Sequence, residues 1–217
     1  MGDAGVLAWF YKYHYDLWRP VVGIREHGSG MGPAALAGSP ALSPNCNPFW
    51  KPLGAPRTNT TAPGTVASFT PPFPAYPSGH ATFGAAAFQV ARLMLVSLGK
   101  ATITADGKDD IAFDLVSDEM DGSSQDPDRT LRTRHLRHFN GLHEAMYENS
   151  VSRMFLGVHW RFDGTTGHDA VAMLANAASD NIGGVPLGLA VANDLLAQTN
   201  LRPSGPGVQA PPFDATV

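Results

Sequence analysis

From about residue 23 to residue 77 the chain shows no recurrence of apolar residues at 3.6 or at 2 positions, and Gly, Pro, Ser, Asn and Thr dominate it. Such a stretch cannot build a core, because it presents no continuous apolar face to bury. The core must come from the flanking segments, which carry helical spacing. Residues 5 to 18 space Leu7, Phe10, Tyr11, Tyr15 and Trp18 as on a helix, and Pro20 predicts its end by disfavouring the α conformation in the residue before it. Ser78 reads as the N-cap of a helix running to about Ser97 on a stripe of Phe83, Ala87, Phe88, Ala91 and Leu95, stopped by Gly99.

Residues 139 to 156 read as a further helix (Leu142, Met146, Val151, Phe155), with its end expected near Leu156 or Gly157. Residues 163 to 178 and 185 to 198 are two more candidates, and the Pro-rich tail from 203 to 217 reads as irregular. No strand alternation competes with these assignments. The expectation is one all-α domain over residues 1–217, a helical bundle with long irregular loops, in which the 23–77 loop covers a site instead of joining two domains.

Composition narrows the function. With 43% hydrophobic and 16% charged residues over 217 positions, the chain can bury a sizeable core. A formal charge of -4 argues against nucleic acid or an anionic membrane as a partner, since both need broad positive fields. Any anion site must be local. The single cysteine, Cys46, excludes an intramolecular disulfide, and with no histidine at a dyad spacing beside it in sequence it reads as a bystander. The start Met1-Gly2-Asp3-Ala4 lacks the features of a signal peptide. The most apolar segment, Phe83 to Leu98, is broken by Gln89 and Arg92 and falls short of the roughly 20 residues a bilayer requires. The reading is a soluble protein of open compartment. Asn59-Thr60-Thr61 is a glycosylation triplet of the kind that arises by chance, and His14, His27, His135, His138, His143 and His168 read as structural or surface residues.

Three stretches hold groups suited to an oxyanion. Lys12 and Arg19 stand two helical turns apart, so on one helix they share a face, set among Trp9, Tyr11 and Trp18. Ser78-Gly79 opens a helix, where free backbone N–H groups and the positive end of the dipole favour an anion. His80 lies in that first turn, placed for acid–base work near neutral pH. Arg153 and His159 can share a ligand only if the helix ends between them, as Gly157 allows, and a carboxylate at Asp163 could fix the tautomer of His159. The arginines at 129, 132, 134 and 137 read as a solvated loop running into the start of a helix, with an anion-attracting rim as the sharper alternative.

In this order, Lys-x6-Arg-Pro, Pro-Ser-Gly-His and Ser-Arg-x5-His-x3-Asp resemble the signature of the vanadium-dependent haloperoxidases and the related type 2 phosphatidic acid phosphatase superfamily. PFPAYPSGHATFG and SRMFLGVHWRFDG look most like the fungal-type chloroperoxidases, and IGGVPLGLAVAND at 182 to 194 adds to the likeness. The resemblance implies the C-terminal half of that fold, with vanadate as cofactor and phosphate able to occupy the same site. It assigns Lys12, Arg19 and Arg153 to the vanadate oxygens, Ser78 and Gly79 N–H to hydrogen bonds with it, His159 to the metal and His80 to acid–base chemistry. Trp9 and Phe73 would line the halide side. Hydrogen peroxide, a halide and a small organic acceptor would be the partners, hypohalous acid the product, and vanadium a Lewis acid that keeps its oxidation state.

The same residues serve the phosphatases, where His159 would form a phosphohistidine and His80 would protonate the leaving group. Phe73, Trp9 and the lack of membrane spans favour the peroxidase. A third reading is a truncated remnant that binds an oxyanion without turnover. Family members are usually longer, built from two bundles, and the acidic residue that supports the third arginine lies in their upstream part, which would leave Arg153 less well oriented. Losing a partner bundle would also bare an apolar face, so homo-oligomerisation or poor solubility is expected.

Overall fold

The computed structural model describes residues 1–28, 45–50, 52, 70–126, 128–174 and 182–199. Most of the 23–77 loop, the Asn59 triplet, residues 175–178 of one expected helix and the 203–217 tail therefore lie outside the described residues. The elements are α1 (Gly2–Tyr15), α2 (Pro20–Glu26), α3 (Gly79–Ser97), β1 (Phe113–Val116), a 3-10 turn (Asp118–Met120), β2 (Leu136–Phe139), α4 (Leu142–Phe155), α5 (Arg161–Gly164), α6 (Ala170–Leu174) and α7 (Gly184–Ala197). Among the described residues no helix is long and apolar enough to cross a membrane.

The fold is a helical bundle centred on α3, which packs most extensively against α7 and also meets α4 and α1. Small residues permit the close approaches. A Cβ on Gly184 would lie 2.4 Å from the Ser78 carbonyl oxygen, and one on Gly188 would lie 2.3 Å from that of Thr82. Backbone thus meets backbone where α7 crosses the start of α3, and only glycine fits. On α1 the buried positions are Ala4, Ala8 and Lys12, a narrow stripe that ends in a cation. The core cluster is Ala81, Ala85, Met146, Met173 and Val185, with Phe88, Tyr147, Leu174 and Leu189 packed around it.

This corrects the stripe expected on α3. Phe83, Ala87, Phe88, Ala91 and Leu95 are only partly buried, whereas Ala81, Thr82, Ala85, Ala86, Gln89, Arg92 and Leu93 form the inner face. Gln89 and Arg92 can be inside because each finds partners. Gln89 donates to Asn193 Oδ1, and Arg92 reaches Asp109 Oδ2 at 2.8 Å and Gln89 Oε1 at 2.6 Å. Asp109 also accepts the N–H groups of Leu142 and His143, so one carboxylate caps α4 and neutralises the arginine on α3.

Other boundaries moved for local reasons. Asp16 takes the left-handed conformation (φ 46°) and ends α1, and Pro20 then begins α2 instead of only closing α1, using the tolerance of the first helical position for proline. The helix expected over 163–178 is interrupted: α5 already begins at Arg161 and ends at Gly164, and α6 spans Ala170–Leu174. The expectation of no strands fails at β1 and β2, which pair antiparallel with Phe113 opposite Phe139, their rings stacked 5.1 Å apart. Four residues per strand are too few to leave an alternating signature. Arg132 pairs with Asp126 and Glu119, Arg137 with Glu148, and His138 with Asp114, so much of this charge is spent within the protein, on a strand arm instead of a helix start.

Because the new Cβ would meet backbone, Gly188→Ala is expected to destabilise the bundle by about 1–3 kcal/mol and to lower Tm by several degrees in thermal unfolding. An unchanged Tm would contradict the tight α3–α7 crossing.

Candidate functional site

The three cation-bearing segments converge where α1, the loop before α3, the start of α3 and the end of α4 meet. Lys12 is fully buried. Its ammonium donates to the carbonyl oxygens of Pro74 at 3.0 Å, Ala75 at 2.9 Å and Pro77 at 2.6 Å. Burial, with Arg19 adding to it, pushes its pKa down to about 7, and Asp163 acts in the opposite sense. Three carbonyl acceptors favour the charged form, since only an ammonium offers three donors. Lys12 therefore spends its donors on the 74–77 backbone and lends the site charge instead of a free N–H. Its nitrogen lies 5.5 Å from the Trp9 ring centroid and 5.4 Å from that of Phe73.

Arg19 does not share a helix with Lys12, which corrects the expected common face. It stands in extended conformation before Pro20, as a residue preceding proline prefers, and points back into the same space. Its Nε donates to Phe73 O at 2.9 Å and its Nη1 to Val158 O at 2.8 Å, while its guanidinium carbon lies 5.1 Å from the Phe73 centroid. Arg153 arrives from the last turn of α4. Gly157, at φ 74°, then turns the chain where a Cβ would stand 2.8 Å from Pro52 Cα, and His159 follows on the turn. The expected break between Arg153 and His159 is present.

His159 is held from both sides. Arg19 Nη1 lies 3.0 Å from its Nε2, and a guanidinium can only donate, so Nε2 carries the lone pair. The proton then sits on Nδ1 and is donated to Asp163 Oδ2 at 2.9 Å. Burial first, then Arg19, Lys12 and Arg153, lower the pKa of His159 to about 2 and keep it neutral. Burial raises Asp163 to about 7, opposed by the Trp160 N–H, Lys12 and Arg19. Asp163 is the hub: Oδ2 also accepts the Trp160 N–H at 2.9 Å, and its main-chain carbonyl accepts the Ser78 N–H at 2.7 Å.

Ser78 caps α3 as expected, its Oγ accepting from Ala81 N–H and its carbonyl from Thr82 N–H. The N–H groups of Gly79 and His80 remain as first-turn donors. Trp9 covers this turn, and a Cβ on Gly79 would stand 2.9 Å from its ring. His80 reaches the surface, yet partial desolvation, followed by Arg153, Lys12 and Arg19, lowers its pKa, which places it within the field of all three cations. Trp9 and Phe73 stack 5.1 Å apart beside Lys12.

Three buried side-chain atoms lack a partner among the described residues: Arg19 Nη2, Arg153 Nε and Asp163 Oδ1. Two unmatched guanidinium nitrogens and two first-turn N–H groups suit an oxyanion with several oxygens, and the imidazole lone pair suits its electrophilic central atom. Sequence reasoning missed the carbonyls of Pro74, Ala75 and Pro77. A signal was present, because prolines at 71, 72, 74 and 77 leave that segment with more acceptors than N–H donors. It also missed that His27 lies 3.4 Å from Cys46, though His27 Nδ1 is engaged with Gly23 O at 2.7 Å and the thiol donates to His27 O.

Asp163→Asn replaces an acceptor with a group that can turn its NH2 toward Nδ1, favouring the tautomer whose Nε2–H would confront Arg19. A change of the His159 ring 15N pattern is expected, with a loss of about 10–100-fold in oxyanion affinity by titration. A retained Nδ1–H signal with unchanged affinity would overturn the assignment.

Comparison with known proteins bears on the whole constellation. Residues 1–184 match the family described as VCPO second helical-bundle domain. The chain is 35% identical over 260 aligned residues to the vanadium chloroperoxidase of Curvularia inaequalis, an alignment covering 99% of this chain and 40% of that protein. It thus spans about two fifths of that relative's length. With the family match running through every residue of the site, from Trp9 to Asp163, the chain belongs to the family of the vanadium chloroperoxidase second helical-bundle domain.

Proposed function

We propose that the Arg19–Arg153–His159 space is a vanadate site and that the chain supports oxidation of a halide by hydrogen peroxide to hypohalous acid. The observation that carries this reading is the pair of buried, unmatched guanidinium nitrogens, Arg19 Nη2 and Arg153 Nε, beside the His159 lone pair. They fit a tetrahedral oxyanion, which vanadate and phosphate both are. Among the described residues no carboxylate forms a salt bridge with Lys12, Arg19 or Arg153. Their charge is left for a ligand.

Bound vanadate supplies Lewis acidity toward peroxide. The chain does the rest: Arg19 and Arg153 neutralise oxygens, Ser78 Oγ–H and Gly79 N–H add hydrogen bonds, and Lys12 contributes positive potential. His159 would offer Nε2 as the ligand atom in place of its hydrogen bond from Arg19, with Asp163 holding the proton on Nδ1. His80, its pKa lowered by partial desolvation and the three cations, would be the group that takes a proton from peroxide and returns it. Trp9 and Phe73 form an apolar wall beside the cations, where a poorly hydrated halide loses less on leaving water than a small, strongly hydrated anion does.

A phosphatase reading rests on the same lone pair, with His159 Nε2 as nucleophile. One experiment separates the two. Purified protein with orthovanadate, peroxide and bromide or chloride is assayed for halogenation of an activated diketone, in parallel with cleavage of a chromogenic phosphate ester without vanadate. Halogenation that needs vanadate and disappears in His159→Ala is expected. Ester cleavage inhibited by vanadate would select the phosphatase, and silence in both would select a non-catalytic oxyanion-binding chain.

A further inference from the structure

His80 is the one group of the proposed chemistry whose ring makes no hydrogen bond among the described residues, so its position must be set through its backbone. That backbone is held on both sides. On the N-terminal side Ser78 is pinned by its N–H to Asp163 O at 2.7 Å and by its cap to Ala81 N–H. On the other side Asn149, from α4, donates Nδ2–H to the His80 carbonyl oxygen at 2.9 Å. A carbonyl in the first turn of a helix has a second lone pair to give, so this bond adds to the helical one.

Two details show that the contact is built in. Gly84, one turn along α3 from His80, leaves a hollow for the amide: a Cβ there would stand 2.3 Å from Asn149 Nδ2 and 3.2 Å from its Cγ. Asn149 also lies four residues before Arg153 and therefore on the same face of α4. The stretch of helix that delivers the guanidinium to the oxyanion space also delivers the amide to His80. The main-chain carbonyl of Asn149 accepts Ser152 Oγ–H at 2.8 Å, tying that turn together.

We infer that Asn149 is a positioning residue, fixing the His80 imidazole relative to Arg153 so that the proton-transferring group and the oxyanion clamp keep one separation. The inference rests on the reading of His80 as the acid–base group. The groups whose charge reaches His80 are Arg153 on α4, Lys12 on α1 and Arg19 before α2.

The test uses Asn149→Leu, which keeps the volume and removes the donor, and Gly84→Ala, which leaves Asn149 intact but fills its hollow. Both are expected to lower kcat by about 10–100-fold, the usual effect of misplacing a catalytic group by about an ångström. Vanadate and phosphate affinity should stay within a few-fold. The deciding measurement repeats Asn149→Leu in a His80→Ala background, where its effect on kcat should vanish, because a residue acting through His80 has nothing left to position. An equal loss in both backgrounds, or a loss of oxyanion affinity instead of kcat, would overturn the proposal. A second readout needs no turnover: phosphate titration should shift the His80 ring resonances in the natural chain and shift them less in both variants. If the natural chain is inactive toward halide and ester, the haloperoxidase reading fails. The ring shifts then decide the positioning role, and equal shifts in all three proteins would refute it.

Discussion

Three cations share a space from which water is largely excluded, with a single carboxylate among them, and the site's architecture follows from how that repulsion is contained. Lys12 and Arg19 are both buried, and Arg153 is partly so. Burial lowers the pKa of each, as expected where the charged form is disfavoured. The protein offsets the cost with carbonyl oxygens, from Pro74, Ala75 and Pro77 to Lys12 and from Phe73 and Val158 to Arg19. Carbonyls hold a cation in place without cancelling its charge. What remains is a positive space, and the aromatic rings of Trp9 and Phe73 line it without adding charge of their own.

Asp163 converts that charge into defined chemistry. Its carboxylate fixes which nitrogen of His159 bears the proton, while its main chain anchors Ser78 and hence the first turn of α3. The same turn is pressed by α7 through Gly184 and covered by Trp9 over Gly79. The start of the α3–α7 crossing and the candidate oxyanion site are therefore one location, so packing there acts on the donors directly. On the far side α4 contributes Arg153 and Asn149 from one face, fixing the relation between the two halves of the site.

Much of this was legible in the chain. Ser78 as a cap, the break at Gly157, the last helix and the six charged or imidazole groups could be read because each rests on local chemistry: a cap needs its own side chain, and a turn at positive φ needs its own glycine. The failures share the opposite property. Lys12 and Arg19 were placed on one helix because their spacing permits it, yet Asp16 in a left-handed conformation ends α1 between them. Apolar spacing on α3 points to the face of Phe83, Phe88 and Leu95, whereas Gly184 and Gly188 on α7 press against Thr82, Ala85 and Ala86 and turn that face inward.

Sequence alone thus determined the inventory: which residues can carry charge, protons and free N–H donors, where the cap at Ser78 and the break at Gly157 fall, and which family the motifs resemble. Tertiary structure alone decided their use. It turned the Lys12 donors toward backbone carbonyls, left Arg19 Nη2 and Arg153 Nε without partners, and put the His159 proton on the nitrogen facing Asp163. The physical reason is that a side chain's identity sets what it can donate or accept. Which acceptor it meets depends on the approach of segments distant in the chain, and no local pattern encodes that approach.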